Sequence, residues 1–288
     1  MMNQKKAYVI NLEGRKEPFS FRKVYRSARR VGASRQLAQQ IARTIEQELY
    51  SGIKTVDIFR MVRKELLKQE PRAGLKFNLK QGMRKLGPTG FPFEKYVGAI
   101  LSRNGFKIQL NQYIPGSCCS YEIDFVAKKD NLLYIGECKY RNSPGEKIHL
   151  DVALANYARF LDIQNNKFFS KFSKNLKIKS LLVTNTKLTT QATHYSECVG
   201  VECLGWNYPK NKGLERLIDE QELYPITILS SLKNYLAQIF VSQNIVLVED
   251  VLKIDVEKFS KRNKIPLNNL LPVIKEAQTL LNKEKAIK

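Results

Sequence analysis

Apolar residues in the first third alternate briefly and then recur at helical spacing. Ala7-Tyr8-Val9-Ile10 predicts a strand, Glu13-Gly14 a turn, and Phe19 and Phe21 stand where they could close a small sheet. Three Pro-free stretches, at roughly 21–31, 35–50 and 55–69, carry the 3.6-residue period of helices. Thr55 followed by Asp57 reads as the polar start of the third helix, and Pro71 as its stop. A fourth helix, Ala73 to Leu86, is basic on its outer face.

Gly87-Pro88-Thr89-Gly90-Phe91-Pro92 then breaks the pattern, and a domain boundary belongs there. Beyond it, Phe93 to Arg103 is helical, and three alternating runs at 106–114, 121–128 and 132–140 predict strands. Lys129-Asp130-Asn131 makes a tight turn between the second and third. A helix at 148–162, a buried strand at 178–184, a helix at 189–198 and a strand at 200–206 complete an α-β-β-β-α-β-α-β order. That order predicts a mixed sheet flanked by helices. Past residue 222 the chain returns to short helices, around Val248–Leu252 and Leu270–Leu281. The expectation is an α/β chain, α+β overall, in three parts: 1–88, 89–222 and 223–288.

Composition adds a partner class. The 288 residues carry 49 Lys and Arg against 27 Asp and Glu, a net charge of +22. Residues 1–88 hold 21 basic and 7 acidic residues, so 21 − 7 = +14 of that surplus lies in the first third. Such an excess points to a polyanion such as DNA. No run approaches the ~20 apolar residues of a bilayer span, and the start at Met1 lacks the apolar segment of a signal peptide. Five cysteines, an odd number, do not make a disulfide framework. A cytoplasmic protein is expected, with no membrane partner.

The candidate chemistry lies in the middle region. Glu122-Ile123-Asp124 and Glu137-Cys138-Lys139 fall on neighbouring predicted strands of one hairpin. Alternation puts Glu137 and Lys139 on one face and Cys138 on the other, with Asp124 able to lie across. Two carboxylates and an ammonium on one side of a sheet suit Mg²⁺ or Mn²⁺, with the lysine placed to manage an attacking water. A solvated surface ion pair is the plainer reading of the same residues.

Phe93-Glu94, the Asp124 strand and Glu137-Cys138-Lys139 resemble the PD-(D/E)xK nuclease superfamily, close to Mrr-type restriction endonucleases, over about 91–206. The resemblance implies that Asp124 and Glu137 bind the metal with the Cys138 carbonyl, that Lys139 assists the water, and that Glu94 completes the site. Ile123 stands where many members have proline. Val9-Ile10-Asn11-Leu12-Glu13-Gly14-Arg15, with Glu17-Pro18-Phe19 and Phe21-Arg22-Lys23-Val24, resembles an ATP-cone over about 7–86. That resemblance implies ATP or dATP as effector, held near Val9, Glu13, Gly14, Arg15 and Lys23, and control through association of like subunits. Asn11-Leu12 replaces the Lys-Arg usual in that family. Residues 244–281 faintly resemble helix-hairpin-helix modules, without their Gly-x-Gly turn.

Arg141 and His149, beyond the catalytic strand, are candidate phosphate contacts. Cys118-Cys119 and Cys198/Cys203, with His149 or His194, have poor spacing for zinc. Trp206 is expected in the core. The expected function is a Mg²⁺-dependent deoxyribonuclease regulated by nucleotide. The alternatives are a catalytically silent DNA-binding or nucleotide-sensing protein and an RNA-directed nuclease.

Overall fold

The computed structural model describes residues 7–86, 91–166 and 175–282. It is a mixture of helices and mixed sheets, as the α+β expectation requires. The expected boundary at Gly87–Gly90 lies outside the described residues. The chain divides into two compact units: 1–82 with 228–233 and 251–288, and 83–227 with 234–250. Residues 223–288, expected as a separate module, are shared between the two.

In the first unit, β1 (Tyr8–Ile10) pairs antiparallel with β2 (Lys16–Pro18) across a turn in which Gly14 has φ +78°. Phe19 extends this pairing by one step, its N–H donating to the Ala7 carbonyl at 3.2 Å, whereas Phe21 already belongs to the first helix. After α1 (Phe21–Arg30) and α2 (Arg35–Gln47), the two-residue β3 (Ile53–Lys54) joins β1 in parallel. The side chains of Phe19 and Phe21 pack against the helical core of Val24, Leu37, Ile41, Ile45, Val62 and Leu66. Ser20 and Ser34 cap α1 and α2, their side chains accepting from Lys23 N and Leu37 N.

α3 (Thr55–Gln69) follows with Lys54 at its cap position, where no side chain bonds the first turn. Pro71 opens the next helix, α4 (Pro71–Phe77), at a position where its missing N–H costs nothing. The single helix expected over 73–86 is two, broken at Asn78 before α5 (Leu79–Arg84). Asn78 is buried, and its side-chain amide donates to the Ile228 carbonyl at 3.1 Å.

The second unit opens with α6 (Phe91–Arg103), then β4 (Lys107–Pro115), β5 (Ser120–Lys129) and β6 (Leu132–Lys139). Asp130, at φ +52°, turns β5 into β6. A short β7 (Lys147–Ile148), α7 (Leu150–Asn165) and β8 (Lys177–Thr184) follow. Next come β9 (Lys187–Leu188), α8 (Thr190–Val199) and β10 (Glu202–Leu204). The five-stranded sheet has the order β10-β8-β6-β5-β4. Pairing is antiparallel between β4, β5 and β6 and parallel from β6 through β8 to β10. The central strand β6 is buried almost along its whole length. α6 packs on β4, β5 and β6, and α7 on β8 and α8. Trp206 is buried, as expected.

α9 (Leu214–Glu220), α10 (Asn234–Ser242) and α11 (Val248–Val251) follow. Tyr96, fully buried on α6, donates to the Leu223 carbonyl at 2.7 Å. Arg103 reaches Asp250 at 2.9 Å within the same unit. The last helices, α12 (Val256–Asn263) and α13 (Leu267–Leu281), return to the first unit, where α13 packs on α4. Arg72 Nε donates to the Leu280 carbonyl there at 2.9 Å.

Candidate functional site

β5 and β6 pair as far as Phe125 and Gly136, and Asp124 and Glu137 stand one step beyond. There the Asp124 Oδ2 accepts the Cys138 backbone N–H at 2.6 Å. Glu137 is only 5% exposed although it is an acid. Burial of a carboxylate demands partners, and Glu137 has two: Lys139 Nζ at Oε1 and Arg159 at Oε2. Lys139 lies two residues along the strand, and its carbonyl is fixed by the Thr184 hydroxyl at 2.6 Å.

Glu94 reaches the same cluster from the first turn of α6. Burial, followed by the negative charges of Asp124, Glu122 and Glu137, pushes its carboxyl up to about 7. Burial also raises Asp124, to about 6, with the charge of Glu137 next; the Cys138 N–H, Lys139 and Arg159 pull the other way. Burial pushes the Cys138 thiol well above its ordinary range. Acids and cations are therefore interleaved at one end of the sheet, in surroundings dry enough for each charge to be felt by the others. Among the described residues, no three or more His, Cys, Asp or Glu side chains are grouped so that together they could hold a metal ion.

The outlying candidates are placed differently. Arg141 is half-buried, and Asn185 grips its backbone through both N–H and carbonyl, at 2.8 and 2.7 Å. His149 is exposed at the cap position of α7, where its side chain makes no capping bond. Cys118, Cys119 and Cys198 are exposed, and Cys138 and Cys203 buried.

Arg159 is the site residue that sequence reasoning missed. It sits 22 residues beyond Glu137, outside any local motif. Its one signal is that α7, LDVALANYARFLDIQN, carries no other basic residue.

The candidate nucleotide residues of the first unit gather at the β1–β2 hairpin and the start of α1. Val9 is buried in β1, while Glu13 and Arg15 pair with each other at 2.9 Å beside Gly14. The Asn11 side chain accepts from the N–H groups of Glu13 and Arg15, both at 2.9 Å, and shapes the turn. Its amide donates to Glu17 Oε1 at 2.8 Å, and Glu17 Oε2 lies 3.3 Å from Lys23 Nζ. Asn11 and Lys23 hold the exposed Glu17 carboxyl below the usual carboxylate range.

Two family descriptions match the chain. "ATP cone domain" matches residues 7–79, the first unit's N-terminal part. "AF1548-like, C-terminal" matches residues 224–281, which include the stretch 244–281 set beside helix-hairpin-helix modules on sequence grounds. An uncharacterized protein of Archaeoglobus fulgidus is 36% identical over 162 residues, covering 56% of this chain and 87% of the relative. A solved structure, described as that of the protein of unknown function AF1548, has 31% identity and a TM-score of 0.57. It covers 68% of this chain and 100% of that one. No helix among the described residues is long and apolar enough to cross a membrane. With this degree of identity over most of the relative's length, and with an ATP cone at its N-terminal end, the chain belongs to the AF1548-like family.

Proposed function

We propose that the protein is a Mg²⁺-dependent deoxyribonuclease whose activity responds to ATP or dATP at the ATP cone. One observation carries the reading: Glu94, Asp124, Glu137 and Lys139 gather at one end of a five-stranded mixed sheet, with Glu94 and Asp124 both raised, first by burial and then by neighbouring acids. Structural ion pairs alone do not need three acids there. A cation would relieve their repulsion, and the donors are hard carboxylate oxygens, which suit Mg²⁺ or Mn²⁺.

Asp124, Glu137 and the Cys138 carbonyl would hold the ion, and Glu94 would complete the acidic cluster. A divalent cation there supplies Lewis-acid polarisation of a phosphate and a lowered pKa for bound water. The protein's own residues do the positioning. Thr184 fixes the backbone of Lys139, so its Nζ is delivered to the Glu137 carboxylate, from which it can orient the attacking water and handle its proton. The Cys138 N–H fixes the Asp124 carboxylate. The surplus of +22 supplies phosphate contacts that hold the DNA backbone. The ATP cone supports nucleotide as effector, acting through association of identical subunits.

The test is incubation of the purified full-length protein with supercoiled plasmid, with Mg²⁺ or with chelator, beside Glu137→Ala and an RNA substrate. Nicked and linear DNA, dependent on Mg²⁺ and lost in Glu137→Ala, is the expected result. Equal cleavage by the variant removes the reading. DNA binding without cleavage favours a silent DNA-binding protein, and cleavage of RNA alone redirects the activity.

A further inference from the structure

Both oxygens of the buried Glu137 carboxylate are engaged by cations, and the two cations differ in origin. Lys139 belongs to the same strand and moves with it. Arg159 comes from α7, which is anchored on β8 by Asn156 Nδ2 donating to Ser180 Oγ at 2.8 Å. The position of Arg159 is thus set by a different element from the one that carries Glu137. The guanidinium also takes an oxygen that an incoming metal ion would need.

Charge repulsion sharpens the conflict. A guanidinium held against Glu137 while a metal ion enters would be repelled at short range in a partly dry site.

We propose, resting on the nuclease reading of this same site, that Arg159 is a positioning residue that holds Glu137 Oε2 until a divalent cation displaces it. Arg159 pairs with the buried carboxylate and aims it in the absence of metal, as a buried charge requires. It opposes metal entry to the extent that it binds that oxygen. The side chain is 27% exposed, so the displaced guanidinium has a path to water. A purely structural ion pair predicts the opposite sign, because its loss would loosen the site and weaken metal binding.

Mn²⁺ titration of the full-length protein by calorimetry tests this, and needs no catalytic turnover. Asp124→Ala should abolish the binding and so assign the heat to the site. Arg159→Gln should bind Mn²⁺ roughly tenfold more tightly than the unchanged protein. Arg159→Lys keeps the charge but lacks the forked donor geometry, and should fall between the two. Circular dichroism monitors folding; should Arg159→Gln not fold, the Arg159→Lys comparison carries the test alone. Unchanged or weaker Mn²⁺ binding in the folded Arg159 variants, beside Asp124-dependent binding in the parent, overturns the proposal and leaves the nuclease reading intact. No Asp124-dependent binding in the parent overturns both.

Discussion

The ring of Phe125 lies directly over Gly136, so that a β-carbon on Gly136 would meet the ring's Cζ at 2.0 Å. The two residues are register partners on β5 and β6, immediately before Asp124 and Glu137. The missing side chain lets a fully buried aromatic cover the strand that carries the site.

Gly136→Ala should therefore destabilise the second unit by about 1–3 kcal/mol or more, through overpacking rather than lost contact. Urea unfolding measures it. Phe125→Leu in the same chain should recover part of the loss, because the two changes share one volume. Additive losses in the double variant would count against the explanation.

Stability should depend on pH through Glu94. Its folded value, about 7, stands above the ordinary value of 4.5, so the folded chain binds the extra proton between those values. The stabilisation is complete below the unfolded value and is lost as pH rises through about 7. Glu94→Gln carries no charge at any pH and should flatten this slope. It should exceed the parent in stability at pH 8, by on the order of 1 kcal/mol after solvent screening of a half-exposed group, and match it near pH 4. Urea midpoints at the two pH values check it, and identical slopes would contradict it.

DNA affinity should be governed by salt. For six neutralised phosphates, binding should fall about a thousandfold between 50 and 200 mM salt. Fluorescence anisotropy with a short duplex gives the slope, and a flat response would separate the positive charge from any DNA role.

Nucleotide affinity should respond oppositely to two neighbours. Lys23→Ala should weaken ATP and dATP binding, whereas Glu17→Gln should strengthen it roughly twofold to fivefold, since Glu17 holds the Lys23 ammonium at 3.3 Å and repels phosphate. Calorimetry reads both, and sedimentation with nucleotide reads any change in association. Absence of heat with either nucleotide would leave the cone as architecture.

The elements that could be read from sequence are those whose instructions are local. α3 was bounded by its period and by Pro71, and the β5–β6 hairpin by alternation on either side of Lys129-Asp130-Asn131. Both acids and the lysine of that hairpin could be named because Glu137 and Lys139 share one strand and Asp124 lies on the strand directly before it. What escaped depends on distant partners. Two-residue β3 has too little length for a pattern and exists because β1 accepts it as a neighbour. The break at Asn78 accompanies a bond to Ile228, and Arg159 matters only through Glu137. Phe21 is apolar whether it closes a sheet or starts a helix, and composition does not distinguish the two.

The return of α12 and α13 to the first unit has a practical consequence for the ATP cone. The polypeptide passes between units after residues 82, 227, 233 and 250, so neither half is a contiguous segment of chain. Ribosomal synthesis delivers the cone's first helices long before α13, which covers α4. A fragment ending near residue 88 would be born without that cover, and the cone cannot be lifted out or shuffled as a cassette by a single cut. Loss of residues 249–288 by proteolysis would strike the cone, some 170 residues earlier in the chain, before it touched the sheet that carries Asp124 and Glu137.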